Sequence, residues 1–205
     1  MGVSRTEFIP TPYPIDDERW DFSLREQEPR GIFLGTREFD VPSRNHLAAL
    51  LLVKRLAEGM GEPVTVFNLA GWRGRRQLRS LGYAEGMLRV VETRLPYPKY
   101  LRAISKHRFV FQLDASGVPG QVAGDSLLAR VPCVGGNGAI DRLAFPDLCG
   151  LNRGHEALFD LAARLLEHPH DCARAVADAF ANAAGVLSFA KGRAALENFF
   201  APLLR

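Results

Sequence analysis

Two arginines, three glycine-bearing segments and one aspartate are the residues of this sequence whose types and spacing could do chemistry. Gly35-Thr36-Arg37 closes a short apolar run, and Arg44 follows seven residues later. A guanidinium so placed reaches phosphate oxygens as a charge-assisted, often bidentate donor. The second segment, Ser116 to Gly124, carries Gly117, Gly120 and Gly124 and runs into a helix expected to open at Asp125. Glycines let backbone amides, Gln121 among them, come close to an anion, and a helix N-terminus favours phosphate there. The Asp125 carboxylate could accept hydrogen bonds from a diol, with Ser126 beside it. The third segment is Gly135-Gly136-Asn137-Gly138. Each has a plainer explanation: a solvated arginine at a helix end, a tight turn, or an acidic residue in a first helical turn, worth about 0.3–1 kcal/mol without any ligand.

Other chemistries lack their residues. No glycine loop ends in Gly-Lys-Ser/Thr, Gly35 does not begin a G-x-G-x-x-G, and no Gly-x-Ser-x-Gly elbow occurs, so phosphate-loop, nicotinamide and serine-nucleophile readings are disfavoured. His168, His170 and Cys172 alternate like metal ligands but have no fourth partner and straddle Pro169. Arg73, Arg75, Arg76 and Arg79 cluster as a basic helix face, or offer one phosphate-reaching Arg73, without the aromatic rhythm of a nucleic-acid surface.

The segments that must position these residues alternate short apolar runs with helical patterns, the order expected of a parallel α/β sheet. Strands are expected near Gly31–Gly35, Pro63–Ala70, Leu88–Glu92, Phe109–Leu113 and Val131–Val134. Between them fall a helix capped by Ser43 and stopped at Gly59 or Gly61, a basic helix over Arg73–Leu81, a short helix within Lys99–Lys106 and one over Asp125–Arg130. Residues 155–205 read as almost wholly helical, divided at Pro169. Residues 1–30, with Pro10, Pro12, Pro14 and Pro29, read as an extended arm that packs on a neighbour or lies loose, and 31–205 as one Rossmann-like domain.

Composition sets the outer bounds. The chain has 205 residues, 47% hydrophobic and 24% charged, enough for one full core. Its longest apolar run, Leu47 to Val53, is far short of the roughly 20 residues a membrane helix needs. The start of the chain does not read as a secretory signal, so a cytoplasmic location is expected; membrane association stays open. Cys133, Cys149 and Cys172 are odd in number and without C-x-x-C spacing, which argues for buried thiols over disulfides or zinc. Formal charge is only +3, but 22 of the 26 basic residues are arginine, the type suited to phosphate.

Taken in order, these pieces resemble the carboxy-terminal, donor-nucleotide-binding half of GT-B glycosyltransferases, in the retaining group with a Glu-x7-Glu motif. The resemblance runs from about Gly31 to Arg205. It rests on Gly35 with Thr36-Arg37, Arg44, Asn68 to Gly71, Tyr100 before Phe109–Leu113, and Gly117 to Asp125 followed by Ser126 to Val134. Leu165-Leu166-Glu167-His168-Pro169 is similar to the family's Leu-Leu-x-Asp-Pro, and Leu187-Ser188-Phe189 to its terminal Phe-Ser. The first glutamate of the motif is Gly117 here, and the second is shortened to Asp125.

What the resemblance implies is glycosyl transfer from a nucleotide-sugar. Arg37 and Arg44 would be the catalytic, charge-stabilising pair, and Gly35, Thr36, Gly117, Gly120 and Gln121 would lie along the donor. Asp125 and Ser126 would hold the ribose, and Gly136, Asn137 and Gly138 the sugar side. No metal is implied. A full enzyme of this kind has a second, acceptor-binding domain, so an absent amino-terminal half or a partner chain is also implied. The other class of function left open is a non-catalytic nucleotide-binding or docking domain.

Overall fold

The computed structural model describes residues 6–23, 28–117 and 119–203. Five parallel strands form its centre: β1 (Ile32–Leu34), β2 (Val64–Phe67), β3 (Leu88–Val91), β4 (Phe109–Phe111) and β5 (Cys133–Val134). Their spatial order is β3-β2-β1-β4-β5. Register is set by pairs such as Ile32 with Val64 and Phe33 with Val110. β1, β2 and β4 are buried along their whole length, as continuous apolar runs in a two-sided parallel sheet must be. Phe33, Phe109 and Phe111 are among the largest fully buried side chains, each worth about 1.5–3 kcal/mol over leaving it in water.

Among the described residues, eight α-helices surround the sheet. They are α1 (His46–Met60), α2 (Gly71–Ser80), α3 (Tyr97–Ile104), α4 (Gln121–Ala129), α5 (Ala139–Ala144), α6 (His155–Glu167), α7 (Pro169–Ala184) and α8 (Phe189–Phe200). The expected Rossmann-like architecture with a helical C-terminal segment is what forms. Pro169, whose missing N–H costs nothing at a helix start, opens α7. Three details differ from the sequence expectation. Pro42–Arg44 forms a 3-10 turn, which moves the cap of α1 from Ser43 to Asn45. α4 begins at Gln121, four residues before Asp125, because Gly120 adopts φ +85° and turns the chain early. α5 is an additional helix, six residues long, whose start Asp141 secures by accepting from the Gly138 N–H at 3.1 Å.

The arm is seated on its own chain. Tyr13 N–H donates to the Leu187 carbonyl at 2.7 Å and Phe22 N–H to Leu128 at 2.9 Å, while Tyr13 and Ile15 join the core. None of the described helices is long and apolar enough to cross a membrane.

Candidate functional site: a crevice at the rim of the sheet

From β1 the chain goes to β2 on one side and, later, to β4 on the other, so the connections part at the carboxyl ends of β1 and β4. Such a parting leaves a crevice that no crossover covers, which is where open α/β sheets bind ligands. Gly35, Thr36, Arg37 and Glu38 come into it from β1, Gln112 and Asp114 from β4, Gly120 and Gln121 from the start of α4, and Arg44 from the turn before α1. This recess encloses about 290 Å³. It shares Arg37, Tyr100, Gln121 and Asp125 with a second recess of about 420 Å³, walled by Tyr13, Phe67, Leu69, Arg94, Leu95 and Tyr97.

Two cationic features face the first recess. Arg37 is half exposed, 3.6 Å from Glu38. The hydrogen-bond ladder of α4 starts only with Ala123 N–H to Gly120 O, so the amides of Gln121 and Val122 precede it and keep the partial positive charge of a helix N-terminus. Gly120 is required there: a Cβ would lie 2.5 Å from Asp141 Oδ2, in a backbone conformation that side chains already disfavour. Arg44 is a third cation, but its guanidinium is taken. It donates to Asp114, which also accepts from the Ser116 N–H at 2.9 Å and from the Ser116 hydroxyl.

Asp125 stands where the two recesses meet. Only 9% exposed, it accepts a 2.5 Å hydrogen bond from the Tyr97 hydroxyl. Burial pushes its carboxyl up to about 6, a rise restrained by the Tyr97 bond and the Arg37 charge. Tyr13 closes one wall by donating to the Gln121 carbonyl at 3.2 Å. Burial, with Asp125 and Asp141 nearby, pushes the phenols of this wall upward, so they act as neutral donors.

Behind the Gly120 turn Asp141 is 2% exposed and held by Gln112 at 2.9 Å; burial raises it to about 7. Thr36 is buried with its hydroxyl on His46 Nδ1 at 2.8 Å, so only its backbone reaches the recess. His46 itself is held neutral, lowered to about 4 by burial.

The rim therefore brings together Gly35, Thr36, Arg37, Arg44, Gly120, Gln121 and Asp125. It does not bring all of the expected residues. Ser126 is fully buried and its hydroxyl turns back onto the Val122 carbonyl at 2.8 Å, away from the crevice, because on α4 it lies a hundred degrees round from Asp125. Gly117 is exposed and does not line either recess. Gly136 and Gly138 form a layer behind Gly120, with Gly136 against Asp141 and Gln112. Asn137 donates its N–H to the Asp114 carbonyl at 2.9 Å and leaves its side-chain oxygen buried without a partner. The basic face of α2 is exposed and none of its four arginines lines the crevice; Arg75 pairs with Glu92. Among the described residues no three His, Cys, Asp or Glu side chains gather as metal ligands. Sequence reasoning missed Asp114, Tyr97, Tyr13 and Arg94. Asp114 alone left a trace, as a carboxylate just after a strand.

No protein-family model matches the sequence, and no curated protein matches it. Solved structures do match. The chain is similar to sucrose-phosphate synthase from Thermosynechococcus elongatus, with TM-score 0.72 and 13% identity over 98% of this chain and 53% of that one. It is similar to S. aureus TarM, solved with fondaparinux, α-GlcNAc-glycerol and UDP, with TM-score 0.64 and 10% identity over 96% and 37% of the two chains. A UDP-forming α,α-trehalose-phosphate synthase from Burkholderia xenovorans gives TM-score 0.57 and 12% identity over 85% and 47%. The fold is that of a GT-B half. The chain spans about half or less of the length of these glycosyltransferases.

Proposed function

We propose that the chain is the donor-holding half of a glycosyltransferase, binding a nucleotide-activated sugar in the crevice at the rim. The observation that carries this reading is the convergence of Arg37, the open N-terminus of α4 and the Asp125 carboxylate on one recess at the β1/β4 parting. A nucleoside diphosphate needs the same three features: cations and amides for the diphosphate, and an acceptor for a ribose hydroxyl.

Transfer breaks the bond between the sugar and the diphosphate, so negative charge builds on the leaving oxygen. Arg37 and the Gln121 and Val122 amides line that recess, and donors held where charge develops stabilise the transition state more than the ground state. Protein cations and the helix dipole would thereby do the charge neutralisation without a metal. Asp125 accepts from the ribose. Arg44 joins the phosphate only if it exchanges Asp114 for a phosphate oxygen. A second half, in the same polypeptide or a partner chain, would supply the acceptor.

Titration of the purified chain with UDP, GDP and ADP, followed by thermal denaturation and calorimetry, tests this. At least one nucleotide should raise the melting temperature, and Arg37→Ala should weaken it roughly tenfold or more, the worth of a charge-assisted contact. If none of the three binds at millimolar concentration, the reading fails. A second reading, a nucleotide-binding or docking domain without turnover, is favoured by Gly117 in place of a carboxylate and by the engagement of Arg44 with Asp114. Binding without consumption of a nucleotide-sugar, even after a complementary half is added, would select it.

A further inference from the structure

Tyr97 is the residue of the crevice wall that nothing above requires. It sits at the start of α3, between Pro96 and Pro98, which fix the backbone entering the helix. Its ring is held on two sides, 6.0 Å from Trp20 and 6.4 Å from Tyr100, nearly parallel to the latter. The side chain is thus aimed, and its hydroxyl meets Asp125 Oδ1 at 2.5 Å. Tyr97 as a whole remains 42% exposed and borders the larger recess. Nor is Tyr97 needed to link the helices, since α3 and α4 already share the core through Leu101 and Ile104 on one side and Leu127 and Leu128 on the other.

Each carboxylate oxygen has two acceptor lone pairs, and an unengaged carboxylate takes the two hydroxyls of a vicinal diol equally, one on each oxygen. Here one oxygen already holds a short bond, and the group is nearly buried, so its approach from solvent is confined to the crevice side. Arg37, across the recess, is the cation nearest in effect; Glu38 and Asp114 are the other carboxylates of the smaller recess, and Asp114 is committed to Arg44 and Ser116.

Resting on the donor-site reading, we infer that Tyr97 is a specificity-determining residue: by taking one acceptor site of Asp125 Oδ1 in a nearly buried carboxylate it makes the two oxygens unequal, so that one ribose hydroxyl of a bound nucleotide is recognised more strongly than the other. The chain therefore tolerates a deoxynucleotide lacking the other hydroxyl. Removal of the phenol hydroxyl frees that acceptor site and makes the site diol-specific.

The experiment compares whichever of UDP, GDP or ADP binds most tightly with its 2′-deoxy and 3′-deoxy forms, on the native chain and on Tyr97→Phe, by calorimetry. Melting temperatures verify that both proteins are folded; the phenylalanine ring keeps the contacts with Trp20 and Tyr100. On the native chain, loss of one hydroxyl should cost about tenfold in affinity and loss of the other less than about threefold. On Tyr97→Phe, loss of either should cost about tenfold. The pH below which the ribonucleotide is released should also rise in Tyr97→Phe, because the phenol bond helps keep Asp125 ionised; a role confined to packing would not move it. Native binding sensitive to both hydroxyls, or to neither, overturns the inference, as does an unchanged pattern in Tyr97→Phe. Those outcomes leave the donor site standing, whereas absence of binding by all three ribonucleotides removes the donor site itself.

Discussion

Asp125 is pulled in opposite directions: burial disfavours its charge, while Tyr97 and Arg37 favour it. With its carboxyl raised to about 6, the group is mostly ionised at pH 7.5 and mostly neutral at pH 5. Nucleotide affinity should therefore fall as pH drops through about 6, and Asp125→Asn should both abolish that dependence and weaken binding about tenfold. The same raised value gives the opposite sign for stability. Asp125 destabilises the fold least at pH values below the ordinary carboxylate range and most once pH rises through 6. Arg44 offers a sharper test of charge. Asp114→Asn removes the carboxylate that engages it, so the guanidinium is freed toward the recess and diphosphate affinity should rise severalfold in calorimetry; a fall would show that Arg44 must be held to be useful.

At the scale of elements, the arm and α4 fit through one absent side chain. A Cβ on Gly124 would lie 2.1 Å from the Tyr13 ring, so Gly124→Ala should unseat the arm and destabilise the protein by about 1–3 kcal/mol, although alanine favours a helix. Pairing it with Tyr13→Ala should recover much of that loss, as denaturation of the double mutant would show. Gly117→Ala, which meets nothing within 4 Å, should be silent. α3 is tied to β2 by His107, whose Nδ1 donates to the Ala103 carbonyl and whose Nε2 accepts from Thr65, each at 2.8 Å. Burial lowers this imidazole to about 4. The unfolded chain takes up the proton first, so the contribution of His107 is complete above pH 6.5 and disappears as pH falls to 4. Relative to His107→Gln, the native protein should lose on the order of 3 kcal/mol across that interval.

For the molecule as a whole, the rim and the elements outside the crevice should respond differently to ligand. Nucleotide at a hundred times its dissociation constant should add about 2.7 kcal/mol of stability. Protection from hydrogen exchange should concentrate in residues 35–38 and the first turn of α4 and spare the exposed α2, which lies outside the crevice.

The sequence by itself determined the parallel α/β sheet and the rim at which the candidate site lies. Runs such as Phe109–Phe111 are apolar on both faces, and a strand covered on both sides has to be. It also marked Arg37, Gly120 and Asp125, because glycine and charge at strand and helix ends are local signals. It did not reveal that Arg44 is engaged by Asp114, 70 residues away, that Tyr97 takes an oxygen of Asp125, 28 residues away, or that the arm closes the wall through Tyr13. Those choices belong to the tertiary structure. Local periodicity fixes which face a residue takes on its own element, whereas the partner across a crevice is set by how strands and helices align, and no spacing along the chain encodes that alignment.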